Sequence, residues 1–128
     1  MTAPRERTVL VVEDADNCAA TLEIALLAIP RLAVTRVRTA EEAIDRLSAA
    51  PFTALVTDLQ LPLMDGFSLI ERVRREPRHA RMPVMVISGD ADPRAPERAL
   101  RLGANAFFPK PYSPAEVRTR LEELIGVS

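Results

Sequence analysis

One cysteine, one histidine and a formal net charge of -1 deny this 128-residue chain several of the usual means by which a small protein binds or reacts. Cys18 alone can close no internal disulfide and build no multi-thiolate zinc site, so nothing in the thiol content asks for an oxidising compartment. We read it as a small buried residue rather than a reactive thiol. His79 has no second histidine to share a metal with, and its setting, PRHARMP, makes it an exposed loop residue. With 17 basic against 18 acidic side chains there is no electrostatic pull toward nucleic acid or an anionic membrane. No stretch approaches the ~18 to 20 apolar residues of a membrane span, and no charged segment followed by an apolar one opens the chain as a signal peptide would. Internal repeats and low-complexity segments are also missing. We therefore expect a cytoplasmic protein, monomeric or weakly dimeric, that binds neither nucleic acid nor membrane directly.

What the chain does have is apolar residues, 48% of the total, enough at this length for one core without staples. They fall into short runs. After a polar lead-in over residues 1–7 (MTAPRER), expected to be disordered, Thr8 to Glu13 (TVLVVE) is continuously apolar and β-branched. Such a run predicts a strand covered on both faces. Ala33 to Arg38 (AVTRVR) alternates, as an edge strand would. Ala54 to Thr57, Pro83 to Ser88 (PVMVIS) and Asn105 to Pro109 (NAFFP) complete five strands, the last marked as an edge by Pro109, which has no amide to donate.

Helices alternate with these strands. The first is predicted from Asn17 to about Ile29, with Asp16 at its cap and Asp14 a second candidate for that role. Thr39-Ala40-Glu41-Glu42 spells a capping box for Ala40 to Ala49, with Glu42 reaching back to the cap amide. Asp65-Gly66 opens a helix to about Glu76, and Glu97 to Leu102 forms a short one that Gly103 ends. Ser113-Pro114-Ala115-Glu116 starts the last, which runs to about Ile125. Five strands alternating with five helices predict one α/β domain over residues 8–126, a doubly wound parallel sheet of flavodoxin-like order 2-1-3-4-5 with a ligand crevice between strands 1 and 3.

Strands in such a sheet all end on one rim, and the residues standing there are Glu13 and Asp14, Asp58, Ser88 and Lys110. Asp58 lies in the stretch ALVTDLQLPLMDG, where a buried strand runs into a loop punctuated by Pro62 and Gly66; taken alone it reads first as a cap for that loop or the next helix. Together, three carboxylates and one ammonium leave an excess of negative charge at short range, which a hard, oxygen-seeking divalent cation relieves.

In these residues, in this order and each at a strand end, the chain resembles the receiver domains of two-component response regulators, the chemotaxis receiver among them, over essentially its whole length. The acidic pair is Glu13-Asp14; the acceptor with its loop is Asp58-Leu59-Gln60-Leu61-Pro62 and Met64-Asp65-Gly66; the hydroxyl is Ser88; the lysine before a proline is Lys110-Pro111. The resemblance implies a signalling switch rather than an enzyme with an external substrate. Asp58 would accept a phosphoryl group from a histidine kinase or phosphorelay protein. Mg2+, or Mn2+ in its place, would be held by Asp14, Asp58, Glu13 and the main-chain carbonyl of Gln60. Lys110 and Ser88 would bind the phosphoryl oxygens. Phe107 holds the position of the family's switch aromatic without a hydroxyl, and can equally be read as plain core. The fourth helix, fifth strand and fifth helix would form the output surface for an unidentified protein target.

Gln60 and Asp90 lie where side chains reach the phosphoryl or its attacking water and so tune dephosphorylation. A dehalogenase-like phosphatase would need a second aspartate where Gln60 stands, and a flavin carrier would need a hydroxyl-rich loop in place of Asp14-Ala15-Asp16-Asn17. A pseudo-receiver, binding proteins without phosphate, is the remaining alternative. With the chain closing at Ser128 just after the last helix, we expect a stand-alone receiver.

Overall fold

A computed structural model describes residues 7–126, and in it the five apolar runs pair as one parallel sheet. The strands are β1 (Arg7–Val12), β2 (Leu32–Val37), β3 (Ala54–Thr57), β4 (Val84–Ser88) and β5 (Ala106–Pro109), in the order β2-β1-β3-β4-β5. The helices are α1 (Asp16–Leu27), α2 (Ala40–Ala49), α3 (Gly66–Arg75), α4 (Ala95–Leu102) and α5 (Pro114–Ile125), with a short 3-10 turn at Pro77–His79. The expected class and strand order are those observed.

The continuous apolarity of the central strands has a direct cause. Successive side chains point to opposite faces, and both faces are covered. Val9 and Val11 pack with Leu22 and Leu26 of α1 and Val117 and Leu121 of α5. Leu10 and Val12 pack with Leu47 of α2, Leu69 and Ile70 of α3 and Ala99 of α4. Val9 to Val12 are wholly buried, each contributing about 1.5–3 kcal/mol of transfer free energy before chain entropy is counted. The edge strands β2 and β5 are only partly covered, and Pro109 is exposed where no neighbour needs its missing amide.

Several local expectations change. Arg7 belongs to β1, its amide donating to the Arg31 carbonyl at 2.9 Å; the rest of the expected lead-in, residues 1–6, lies outside the described residues. Ala15, not Asp16 or Asp14, stands at the N-cap of α1 and supplies no side-chain acceptor. Helix α4 begins at Ala95, two residues early, because Pro96 falls in its first turn, where a missing amide costs nothing. Thr39 accepts from the Glu42 amide at 3.1 Å as expected, but the Glu42 carboxylate accepts from the Thr39 hydroxyl rather than the cap amide. Cys18 is half-buried. His79 is buried although Arg78 and Ala80 beside it are exposed, since the 3-10 turn directs this one side chain inward near Leu47, Phe52 and Met82.

Candidate functional site

Three strands deliver their chemistry by the same device, in which the hydrogen-bonded ladder runs one residue past the end of the strand. The Glu13 amide donates to the Val37 carbonyl, Asp58 to Val12 and Lys110 to Ser88, at 3.1, 3.1 and 2.9 Å. The side chain that follows each strand is thereby held at the rim in strand-like registration. The acceptor loop closes under Asp58 through Gly66, where a Cβ would lie 2.7 Å from Leu59 Cα and closer still to the Asp58 carbonyl oxygen. Only glycine fits there.

The Lys110 ammonium bridges two buried carboxylates, lying 2.6 Å from Glu13 Oε1 and 2.8 Å from Asp58 Oδ2. The other oxygen of each acid is also fixed. Asp58 Oδ1 accepts from the amides of Leu59 and Gln60 at 2.6 and 3.1 Å, and Glu13 Oε2 accepts from the Ala15 amide at 3.2 Å. Burial alone would lower the Lys110 pKa, but hydrogen bonds and charge from Asp58 and Glu13 outweigh it and hold the ammonium well above the ordinary lysine range. This trio carries one more negative charge than positive, and burying two carboxylates side by side is costly without a cation between them.

The remaining sequence-predicted residues are placed as follows. Asp14 is exposed, and its carboxylate makes no hydrogen bond or ion pair among the described residues; the three acids do not converge as a ready-made metal cluster. Gln60 contributes its amide to Asp58, while its side chain is exposed and its carbonyl takes no backbone hydrogen bond among the described residues. Ser88 is fully buried, and its Oγ accepts from the Asp90 amide at 3.1 Å. The Asp90 carboxylate accepts from the Asp92 amide at 2.9 Å and so stabilises the loop into α4. Phe107 is half-buried, packed on the core face of α2 to α4 and bordering an outer groove with Pro96 and Leu100.

Hard oxygen donors around a buried ammonium are the chemistry a small divalent cation also seeks. Mg2+ needs only one or two carboxylates with a carbonyl and waters. Glu13 and Asp58, which already share one cation, fit that requirement together with the free Gln60 carbonyl, while Asp14 stands exposed next to Glu13 in the chain.

Sequence reasoning missed two features here. Arg36 of β2 and Arg38 just beyond it reach the main chain of the acidic pair, and the signal for them was two arginines at alternate positions along an edge run, hence on one face. A groove of 450 Å³ runs beside Lys110, lined by Asn17, Cys18, Thr21 and Tyr112, whose hydroxyl is buried without a partner. Next to it α1 exposes Ile24 and Leu27. No sequence signal marked the groove, because α1 mixes polar and apolar residues around its circumference and shows no single apolar face.

Comparison with known proteins agrees with this geometry. The family model described as the response regulator receiver domain matches residues 9–122. The gliding motility regulatory protein of Myxococcus xanthus is 35% identical over 115 residues, 90% of this chain and 15% of that protein. The chain spans about half or less of the first curated relatives it matches. A crystal structure of a putative response regulator from Chloroflexus aurantiacus superposes with a TM-score of 0.89 at 30% identity, covering 95% of this chain and 99% of the other. The receiver domain of sensor histidine kinase PA1611 from Pseudomonas aeruginosa, which has a magnesium ion coordinated in its active-site cleft, gives 0.85 at 26%, covering 94% and 98%. No helix among the described residues is long and apolar enough to cross a membrane. The strand-end acids, the lysine and the fold they stand on thus belong to a member of the response regulator receiver domain family of two-component signalling.

Proposed function

We propose that Asp58 is a phosphoryl acceptor, and the observation that carries this reading is the single ammonium shared by Glu13 and Asp58 at 2.6 and 2.8 Å. A carboxylate fixed on one oxygen by two amides and on the other by a lysine is oriented for attack on a phosphorus atom. The donor is a phosphohistidine of a histidine kinase or phosphotransfer protein. The P–N bond breaks as the P–O bond to Asp58 forms, and the imidazole nitrogen keeps the electron pair and takes a proton. In such transfers the protein contributes position and charge.

Asp14, Asp58, Glu13 and the Gln60 carbonyl would hold Mg2+, or Mn2+ in its place, which when bound offsets negative charge on the transferring group. Lys110 then moves from Asp58 to a phosphoryl oxygen, and the Ser88 hydroxyl donates to another. Ser88 is packed against the loop into α4, so its displacement is communicated to Asp90 and Phe107 and to the face formed by α4, β5 and α5. Moving a two-state surface from 1:99 to 99:1 requires about 5.5 kcal/mol of differential binding, a demand that charge-assisted bonds to Lys110 and Ser88 can meet. The groove beside Lys110 and the apolar exposed face of α1 suit the docking of the phosphoryl donor next to the acceptor. A donor recharged from ATP puts the domain in the cytoplasm, where it acts as a switch through a protein target and not through nucleic acid or membrane.

Incubation with a small-molecule phosphoryl donor and Mg2+, read by intact mass, tests this. The expected result is one added phosphoryl group, lost in Asp58→Asn and on chelation of the metal. A wild-type mass that stays unchanged would instead favour a module that binds proteins without phosphate.

A further inference from the structure

Helix α1 begins without the local support its position normally has. Ala15 at the N-cap has no side-chain acceptor, and Asp16, the nearest carboxylate in the first turn, is turned away from the helix amides. It accepts instead from two arginines in and just after the neighbouring strand, Arg36 Nη1 at 3.0 Å and Arg38 Nη2 at 2.6 Å, both on Oδ1. The same two guanidinium groups reach the main chain of the acidic pair. Arg36 Nε donates to the Glu13 carbonyl at 2.9 Å, and Arg38 Nη1 donates to the Asp14 carbonyl at 3.3 Å. Both carbonyls of the acidic pair are therefore held just before the helix begins, Glu13 from β2 and Asp14 from the residue after that strand.

Beyond those carbonyls the chain of contacts continues inward. The Glu13 side chain touches the Ala15 amide with one oxygen and Lys110 with the other, and Lys110 touches Asp58. Asp16 and Arg38 are 69% and 54% exposed, so their ion pair adds little to stability. Arg36 is different, being only 19% exposed, with Nη2 buried and unpartnered. Leaving a buried guanidinium donor unpaired is costly, and the retained contacts all bear on one short loop.

We propose that Arg36 and Arg38, joined by Asp16, are positioning residues for Glu13 and Asp14, fixing the main chain from which those carboxylates project and so setting divalent-cation affinity, an assignment that rests on the phosphoryl-acceptor reading above. Residues that orient metal ligands from behind typically alter affinity by about 10-fold or more when changed. A guanidinium acting by position has a different signature from one acting by charge. Removing a nearby positive charge strengthens cation binding, whereas loosening the loop weakens it.

Calorimetric titration of Mn2+ and of Mg2+ into unphosphorylated protein separates the two. Arg36→Lys keeps the charge but cannot span Glu13 and Asp16 at once; both it and Arg36→Gln are expected to bind about 10-fold more weakly. Phosphoryl incorporation should need correspondingly more Mg2+ yet reach the wild-type rate at saturation. In metal-free protein, the Ala15 amide proton should exchange faster in the variants, since its bond to Glu13 is loosened. Wild-type affinity in Arg36→Lys, or tighter binding in Arg36→Gln, overturns the assignment. Should the Arg36 variants fail to fold, Arg38→Gln, at an exposed position, carries the same expectation as Arg36→Gln and the same refutation. A wild-type protein that binds no divalent cation and takes no phosphoryl group refutes the function proposed above, while the Ala15 exchange rate still reports on the clamp.

Discussion

Two cations anchor opposite ends of the sheet, and they are held in opposite ways. At the rim where strands end, Lys110 is met by the full charges of Glu13 and Asp58. At the base where strands begin, Arg74 is met by neutral dipoles. Its Nε and Nη2 donate to the Gly103 carbonyl at 3.0 and 2.8 Å, Nη1 to the His79 carbonyl at 2.7 Å, and Nη2 to Asn105 Oδ1 at 3.0 Å. Asn105 Oδ1 in turn accepts from the Val84 amide. Burial lowers the Arg74 pKa, whereas the carboxylates carry that of Lys110 upward against burial. A cation held by carboxylates can trade places with another cation or follow a phosphoryl group. One embedded in neutral oxygens meets no full charge that another cation could claim, so the base is a lock and the rim a switch.

The largest expected effect tests that distinction directly. Arg74→Met breaks this whole network at once and leaves the Gly103 carbonyl without a donor, and should cost about 3 kcal/mol, unaltered by Mg2+. Lys110→Met leaves two buried carboxylates facing each other and should cost about 2 kcal/mol in metal-free buffer, with most of it restored by Mg2+. Denaturant unfolding of both variants with and without the metal reads the difference; an equal response to Mg2+ would erase the contrast.

Backbone tolerance sharpens it next. Gly66→Ala forces a Cβ against the Asp58 backbone, and Gly103→Ala, at φ 120°, forces one against Arg74 at 2.7 Å. Each should cost about 2 kcal/mol. Only the first should also impair phosphoryl incorporation, measured as the rate with a small donor under conditions where both variants are folded.

How far these ends were legible in the chain differs for the same physical reason. The rim followed from linear order, because apolar runs such as VLVV and ALV fix where each strand stops, and a parallel sheet brings every stop to one side. Glu13, Asp58 and Lys110 could therefore be grouped before any coordinates, and the structure does bring them together. The base is assembled from side-chain reach across segments far apart in sequence. His79 reads as solvent-exposed in PRHARMP because nothing local reveals that the 3-10 turn tucks it beside Leu47 and Met82. Asp16 has the composition of a cap, and only the closeness of β2 to α1 shows why it serves Arg36 and Arg38 instead. Local chemistry predicts local partners, and it fails where a distant charge competes for the same carboxylate.

A smaller effect separates the two ends by pH. Burial, aided by the charge of Arg78, holds the His79 pKa below the usual histidine value. As pH falls through about 6.5 the unfolded chain takes up the proton first. Folding stability contributed by the neutral ring is therefore lost from that point downward, until the folded-state pKa is passed. His79→Gln should flatten stability measured from pH 7.5 to 5, a range quoted as a rough window around the histidine pKa. The rim behaves differently. With its pKa raised, Lys110 keeps its charge across this window, and its contribution is lost only as pH climbs through a value above the ordinary lysine range. A slope unchanged in His79→Gln would place the acid sensitivity elsewhere.

The smallest effect concerns two left-handed residues that are not glycine, Leu63 at φ 68° in the rim loop after Asp58 and Arg31 at φ 60° at the base before β2. A branched side chain in this region costs about 1–2 kcal/mol, and glycine relieves it while adding about 0.5–1 kcal/mol of unfolded-chain entropy. Leu63 is 91% exposed and has no packing to lose, so Leu63→Gly should stabilise by about 0.5 kcal/mol or less. Arg31→Gly should gain a similar amount, since the Arg31 carbonyl that receives the Arg7 amide is kept. If strain in the rim loop helps to shape the acceptor site, Leu63→Gly should change the rate of phosphoryl incorporation while Arg31→Gly leaves it alone. Equal rates in both variants would mean that the strain beside Asp58 is merely tolerated, as it is at the base.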